Sequence, residues 1–238
     1  MGEVTVAASK GDMRAHLATP ATPGPWPGVV VIHDALGYTE DVRNQADSLA
    51  AAGYLAIAPD LYYWGKRPQC MRAIFRDLSR REGGSFDDIE AARGYLISLE
   101  GCTGKVGVIG YCMGGGFALL LAPNRGFDAS SVNYGRLPKD LDTFLNGSCP
   151  IVGSFGGKDR SLKGAAAKLE AALTKNNIPH DVKEYPNAGH SFLNHHAPSD
   201  RNTLFKITGA LIGIVHDGPS EADARRRILA FFDTHLKN

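Results

Sequence analysis

The sequence predicts an α/β fold: a mostly parallel central sheet of about eight strands with helices on both faces. Three observations point there. Short apolar runs alternate with helix-periodic stretches along most of the 238 residues, the order expected when helices carry the chain from one parallel strand to the next. The middle runs, such as Gly28–Ile32 and Val106–Ile109, are apolar at consecutive positions, as strands covered on both faces require. Finally, Val106–Ile109, the turn Gly110-Tyr111-Cys112-Met113-Gly114 and the apolar stretch to Leu121 read as strand, tight turn and helix.

Taken in order, Val4–Ala7 and Arg14–Ala18 are the first strand candidates. The Pro-rich segment from Ala18 to Pro27 reads as a hairpin-like loop into the strand Gly28–Ile32, since too little sequence precedes it to make a domain. A helix over Asp41–Ala52 leads to the strand Leu55–Pro59, and helices over Met71–Leu78 and Phe86–Leu99 follow. Ser85 with Asp88 has the spacing of a capping box at the start of the second of these. The strand Val106–Ile109 and helix Met113–Leu121 flank the turn, and Ser130–Asn133, Ile151–Phe155 and Val182–Tyr185 are the later strands. Helices are expected over Leu162–Asn176 and Glu221–Leu236, the last signalled by Ser220 with Asp223. Residues 194–219 fit least well: a polar stretch precedes the apolar Leu204–Val215, which suits a helix beside the active site, a flap or an oligomer contact. No repeat or low-complexity tract divides the chain, so residues 1–238 are expected to form a single domain.

Composition narrows the function. Apolar residues make up 43% and charged residues 21% of the chain, ordinary values for a globular protein. A balance of 26 Lys plus Arg against 25 Asp plus Glu gives no reason to expect a nucleic-acid or membrane partner. The cluster Arg225-Arg226-Arg227 is expected to be a solvated helix face. No apolar run reaches the roughly 18 residues of a membrane span, and no leader pattern opens the sequence. Cys70, Cys102, Cys112 and Cys149 have no C-x-x-C spacing and sit on separate elements. Free thiols and a cytoplasmic, reducing setting are therefore expected, with Cys70, Cys102 and Cys149 as inert packing residues.

Cys112 is the exception. A G-x-C-x-G turn between strand and helix forces its central residue into a strained backbone and points the side chain off the sheet edge. The helix N-terminus beneath it favours thiolate. A thiol nucleophile needs a base, and the base needs an orienting acid. The strand Ile151–Phe155 ends in Gly156-Gly157-Lys158-Asp159, and the strand Val182–Tyr185 runs into Pro186-Asn187-Ala188-Gly189-His190. Nucleophile, acid and histidine thus each follow a strand, in the chain order of α/β-hydrolases. The loop His33-Asp34-Ala35-Leu36-Gly37 lies where that fold supplies an oxyanion amide, so Ala35 N–H and Met113 N–H are the candidate donors. Asp34 is either an auxiliary group near the thiol or a loop-capping carboxylate.

Together, the G-Y-C-M-G-G turn, the G-G-K-D turn and the G-H-S-F loop resemble the dienelactone hydrolase (carboxymethylenebutenolidase) family of the α/β-hydrolase superfamily. The resemblance runs from the Val29–Gly37 strand and loop to the terminal Phe231-Phe232. It implies a Cys112, His190, Asp159 triad, no cofactor and no metal, with a lactone or ester as small-molecule substrate. It also implies that Asp34, where the family often has glutamate, contacts the resting thiol and helps activate it when substrate binds. In that family arginines grip the substrate carboxylate, one of them shortly after the catalytic histidine, whereas Asn194 stands four residues after His190 here. Asparagine cannot supply that charged fork, so a dienelactone is one candidate substrate among activated esters, lactones and thioesters. Arg72, Arg76, Arg80 and Arg81 are candidates for a carboxylate contact. The expected assembly is a monomer or small homo-oligomer.

Two rival readings use the same residues. A metal-dependent hydrolase would draw on His190, His195, His196 and Asp200, but adjacent histidines aim poorly at one ion and no H-E-x-x-H pattern is present. A ligand-binding or scaffold protein on a hydrolase fold would carry the triad without turnover. A dinucleotide-binding fold is excluded, because no G-x-G-x-x-G follows the first strand. Tyr62, Tyr63, Trp64 and Tyr134 are candidate pocket lining, on walls formed by residues 60–67, 136–147 and 194–218.

Overall fold

Eight strands join in one sheet in the order β1-β2-β4-β3-β5-β6-β7-β8, and this order places the chemistry. The strands are β1 (Gly2–Ala8), β2 (Gly11–Ala18), β3 (Trp26–Ile32), β4 (Leu55–Pro59), β5 (Cys102–Tyr111), β6 (Ala129–Asn133), β7 (Ile151–Gly156) and β8 (His180–Tyr185). β1 and β2 are antiparallel to their neighbours; the six strands from β4 to β8 across the sheet run parallel. This computed structural model describes residues 2–200 and 212–237.

Because both faces of the sheet are covered, alternate residues of one strand enter different cores. Val30 and Ile32 pack with Val106, Val108, Phe86 and Phe117 on one face. Val29 and Val31 pack with Ile109, Val42, Leu49, Ile228 and Phe232 on the other. The first layer takes α2 (Arg67–Arg80), α3 (Gly84–Ser98), α4 (Met113–Leu121) and α6 (Ala165–Lys175); the second takes α1 (Glu40–Ala51) and α7 (Gly218–Leu236). Every residue of α4 is buried, which explains why its sequence is apolar all round. Phe117 and Phe232 are fully buried, and truncating such a residue to Ala typically costs about 3–5 kcal/mol.

All eight expected strands are present, and the departures lie in the connections. β2 pairs with β4 and not with β3, so the Pro-rich segment is a crossover past the intervening strand, not a hairpin. Ser85 and Asp88 do not cap their own helix. Its N-cap is Gly83; both the amide and the hydroxyl of Ser85 donate to Asp77, and Asp88 accepts from the Ser9 amide. These polar groups tie α3 to α2 and to the β1–β2 turn. The last helix begins earlier than Glu221, with Asp217 as the N-cap that accepts from Ser220, while Asp223 bonds Lys183 and Tyr185 of β8. A four-residue helix, α5 (Leu141–Phe144), was not expected, being too short to show a period.

The arginine cluster also departs from expectation. Only Arg226 is a solvated side chain, at 72% exposure. Arg227 bonds Asp181 and Tyr185 of β8, and Arg225 bonds Glu221, Gln45 and the Leu193 carbonyl. Consecutive helix positions point about 100° apart, so a run of like residues cannot share one face.

Candidate active site

The backbone at Cys112 is the clearest mark of a site. It follows β5 at φ 54° and ψ −109°, a region that costs a non-glycine residue roughly 1–3 kcal/mol. Its amide donates to the Asn133 carbonyl (3.0 Å), and its carbonyl accepts from Gly116 (3.1 Å), pinning the turn between β6 and α4. The surrounding glycines are required by space. A Cβ on Gly110 would overlap the Gly114 carbonyl, and one on Gly114 would overlap the Ile32 carbonyl. One on Gly115 would sit 2.5 Å from the Asn133 carbonyl oxygen. The thiol is half-buried at the N-terminus of α4.

Asp159 follows β7 and is buried, at 2% exposure. One oxygen accepts from the Ser161 amide (2.9 Å) and hydroxyl (2.6 Å), which leaves the other to face His190. The His190 Nδ1 lies 2.6 Å from that oxygen. Burial alone would push the His190 pKa down. Hydrogen bonding to Asp159 and to Cys112 outweighs it and raises the value to about 10, so the ring carries a proton at neutral pH. For Asp159, burial pushes upward, and the bonds from His190 and Ser161 hold the carboxyl below its usual range. The structure therefore brings Cys112, after β5, together with Asp159 and His190, after β7 and β8, at one edge of the sheet.

The segment 194–219 is partly explained here. The Gly213 carbonyl accepts from the His190 amide (2.9 Å), and the Val215 carbonyl accepts from Gly189 (2.8 Å). A Cβ on Gly213 would overlap the Lys158 carbonyl, so Gly213–Val215 is wedged between the Asp159 loop and the His190 loop. Most of the apolar stretch beginning at Leu204 lies outside the described residues.

The loop after β3 is built by its own polar groups. The His33 Nε2 accepts from the Leu61 amide (3.2 Å), so its proton sits on Nδ1 and is donated to the Asp34 carbonyl (2.7 Å). Burial lowers the His33 pKa, consistent with a neutral ring. Asp34 Oδ1 accepts from the Leu36 amide (2.8 Å), and Oδ2 lies 2.7 Å from the His196 Nε2. Asp34 is thus a loop cap, and its second oxygen lies at ion-pair distance from a histidine nitrogen. The amides of Ala35 and Met113 have no acceptor among the described residues.

The aromatic candidates divide. Tyr134, at φ 40° directly after β6, sets its ring 5.3 Å from that of His190 and donates its hydroxyl to Asn194 (2.6 Å). Tyr62 donates to the Ala35 carbonyl (3.0 Å). Tyr63 and Trp64 face the β1–β2 turn instead, where Lys10 meets both. Asn194 donates to Asp41 (2.6 Å) and so is a buried tie from its loop to the first turn of α1. Of the named arginines, Arg81 is taken up by both oxygens of Asp140, and Arg76 leans on Asp77. Sequence reasoning missed Arg67, whose guanidinium reaches the Ala35 carbonyl (3.1 Å) over the Tyr62 ring. His190, His195 and His196 pair with three different carboxylates, Asp159, Glu221 and Asp34, and do not converge.

The dienelactone hydrolase family model matches residues 13–236. The chain belongs to the dienelactone hydrolase family. Among curated relatives, a "Putative carboxymethylenebutenolidase" of Escherichia coli K12 is 32% identical over 211 residues, covering 80% of this chain and 77% of the relative. One of the same description from Yersinia pestis is 29% identical over 217 residues, covering 83% and 80%. Among solved structures, a "Putative Dienelactone Hydrolase" from Klebsiella pneumoniae superposes with a TM-score of 0.77 at 25% identity, covering 97% of each chain. A dienelactone hydrolase-like promiscuous phosphotriesterase from metagenomic libraries gives 0.80 at 20% identity over 99% and 98%, a likeness of fold. This dienelactone hydrolase family member is accordingly a hydrolase on the α/β-hydrolase fold. Among its described residues, no helix is long and apolar enough to cross a membrane.

Proposed function

We propose that the protein hydrolyses small lactones or activated esters through a Cys112 thioester, with His190 as proton carrier and Asp159 as its orienter. The observation that carries this reading is the strained Cys112 backbone beside a buried His190–Asp159 pair. The Cys112 sulfur attacks the substrate carbonyl, and the developing oxyanion accepts hydrogen bonds from the Ala35 and Met113 amides. Each such donor is worth about 3 kcal/mol of barrier. The tetrahedral intermediate collapses, the carbon–oxygen bond breaks, and the leaving oxygen takes the His190 proton. In a lactone that oxygen stays attached to the acyl chain as the ring opens. Water then gives a proton to His190 and its hydroxide to the thioester carbon, the carbon–sulfur bond breaks, and the resting pair is restored. A thiolate leaves well, so enol esters and enol lactones suit the site better than simple alkyl esters. Arg67, exposed beside the Ala35 loop, is positioned to receive a substrate carboxylate.

The experiment is a panel of cis- and trans-dienelactone, p-nitrophenyl esters and thioesters assayed with wild type and Cys112→Ala. Turnover by wild type that disappears in the variant supports the reading. Wild-type-like rates in Cys112→Ala refute it.

A further inference from the structure

The loop after β3 holds one backbone donor in reserve, and a buried histidine grips the peptide that carries it. The Ala35 N–H has no acceptor among the described residues. The carbonyl of the same peptide, that of Asp34, accepts from His33 Nδ1 at 2.7 Å. The carbonyl and amide of a trans peptide point opposite ways, so fixing the first aims the second. This loop lies against the nucleophile turn. A Cβ on Gly114 would meet the carbonyl oxygens of Ile32 and His33, and the Tyr62 hydroxyl, bonded to the Ala35 carbonyl, stands 4.0 Å from Met113 Sδ.

We propose that His33 is a positioning residue: it aims the Ala35 amide at the oxyanion, in a tautomer that the Leu61 amide imposes. Leu61 N–H donates to Nε2 (3.2 Å), which leaves the proton on Nδ1 for the Asp34 carbonyl. Leu61 follows β4, the sheet neighbour of β3, so the ring ties the loop to an adjoining strand end. His33 is 1% exposed and packs on Tyr62, with ring centres 5.0 Å apart. Burial lowers its pKa and keeps it neutral, so it donates without adding a charge. A hydrogen bond to one end of a peptide also polarises it and strengthens donation from the other end.

The neighbouring contacts hold other parts of the loop. The Gly37 amide also reaches the Asp34 carbonyl (3.1 Å), but it closes the turn over residues 34–37 on itself and leaves the tilt of that turn against the sheet open. Asp34 Oδ1 takes the Leu36 amide. Tyr62 and Arg67 grip the Ala35 carbonyl, which belongs to the next peptide. Among the described residues, His33 is thus the side chain bonded to the peptide that bears the Ala35 N–H.

The inference deepens the proposed acyl-thioester route and rests on it. Two reactions at Cys112 separate the amide donor from the thiol. Acylation by p-nitrophenyl acetate builds an oxyanion, whereas alkylation by iodoacetamide displaces iodide from a saturated carbon and builds none. Asn places its amide nitrogen where Nδ1 sits, so His33→Asn keeps the bond to Asp34 and loses the one to Leu61. Gln reaches the Nε2 position, so His33→Gln keeps the bond to Leu61 and loses the one to Asp34. Stopped-flow acylation should slow about tenfold in His33→Gln, less than the loss of a whole donor, and stay within about threefold of wild type in His33→Asn. Alkylation should stay within about twofold of wild type in both, since the thiolate is untouched. A merely structural role would slow the two reactions together, in step with the fall in Tm. That result, wild-type acylation in His33→Gln, or equal slowing of acylation in the two variants overturns the proposal. Should His33→Gln fail to fold, His33→Asn decides: acylation within about threefold of wild type supports the proposal, and slower acylation overturns it. Hydrolysis surviving in Cys112→Ala refutes the nucleophile reading, whatever the His33 variants show, and takes this inference with it.

Discussion

Tyr134 donates its hydroxyl to Asn194 at 2.6 Å while holding its ring 5.3 Å from the His190 imidazole. Asn194, four residues after His190, thus braces this corner of the sheet through Tyr134 and Asp41. Tyr134→Phe keeps the ring and strands the buried Asn194 oxygen. An unsatisfied buried acceptor costs about 1–3 kcal/mol, and for a chain of this length each kcal/mol lowers the Tm by about 2–4 °C. Thermal unfolding should show that drop while kcat stays within a few-fold.

The proposed carboxylate contact at Arg67 predicts that substrates separate by charge. Arg67→Ala should raise KM for a carboxylate-bearing lactone about tenfold, the order of loss for a charged hydrogen bond. KM for a neutral p-nitrophenyl ester should be unchanged, and steady-state kinetics on the two substrates read the contrast.

The His190–Asp159 pair makes stability depend on pH in a definite direction. The folded pKa of His190 is about 10, above the ordinary value near 6.5. Its stabilisation is therefore complete below pH 6.5 and is lost as pH rises through 10. Urea unfolding of wild type and His190→Gln should show a stability gap that is wide at pH 6 and narrows steadily towards pH 10. A gap that widens over this range contradicts the assignment.

Two glycines in helices should respond oppositely to alanine. Gly114→Ala drives a methyl into the Ile32 and His33 carbonyls and should abolish folding or activity. Gly94, exposed in α3 with nothing within 4 Å of its would-be Cβ, should gain about 0.5–1 kcal/mol. Circular dichroism melts of the two variants check both signs.

These residues also show what the sequence can disclose. The strands were legible because burial on two faces leaves runs such as Val29–Ile32 with no polar member. Cys112, Asp159 and His190 were legible because each follows its strand directly in the chain. The Asp34–His196 pair and the Asn194 tie were not, since they join positions more than 150 residues apart and loops carry no period to read. Ser85 with Asp88 shows the converse failure: a local pattern had a local explanation, but tertiary partners at Asp77 and Ser9 took both side chains. Arg67 escaped because its significance depends on where the Ala35 carbonyl sits.

Mass spectrometry of the acylated protein tests the central claim most directly. Wild type mixed with a slowly hydrolysed activated ester and quenched in acid should gain one acyl group. The label should map to the peptide containing Cys112 and be released by hydroxylamine, as a thioester is. An acyl group on any other residue, or hydrolysis at the wild-type rate by Cys112→Ala with no adduct in either protein, would contradict the account.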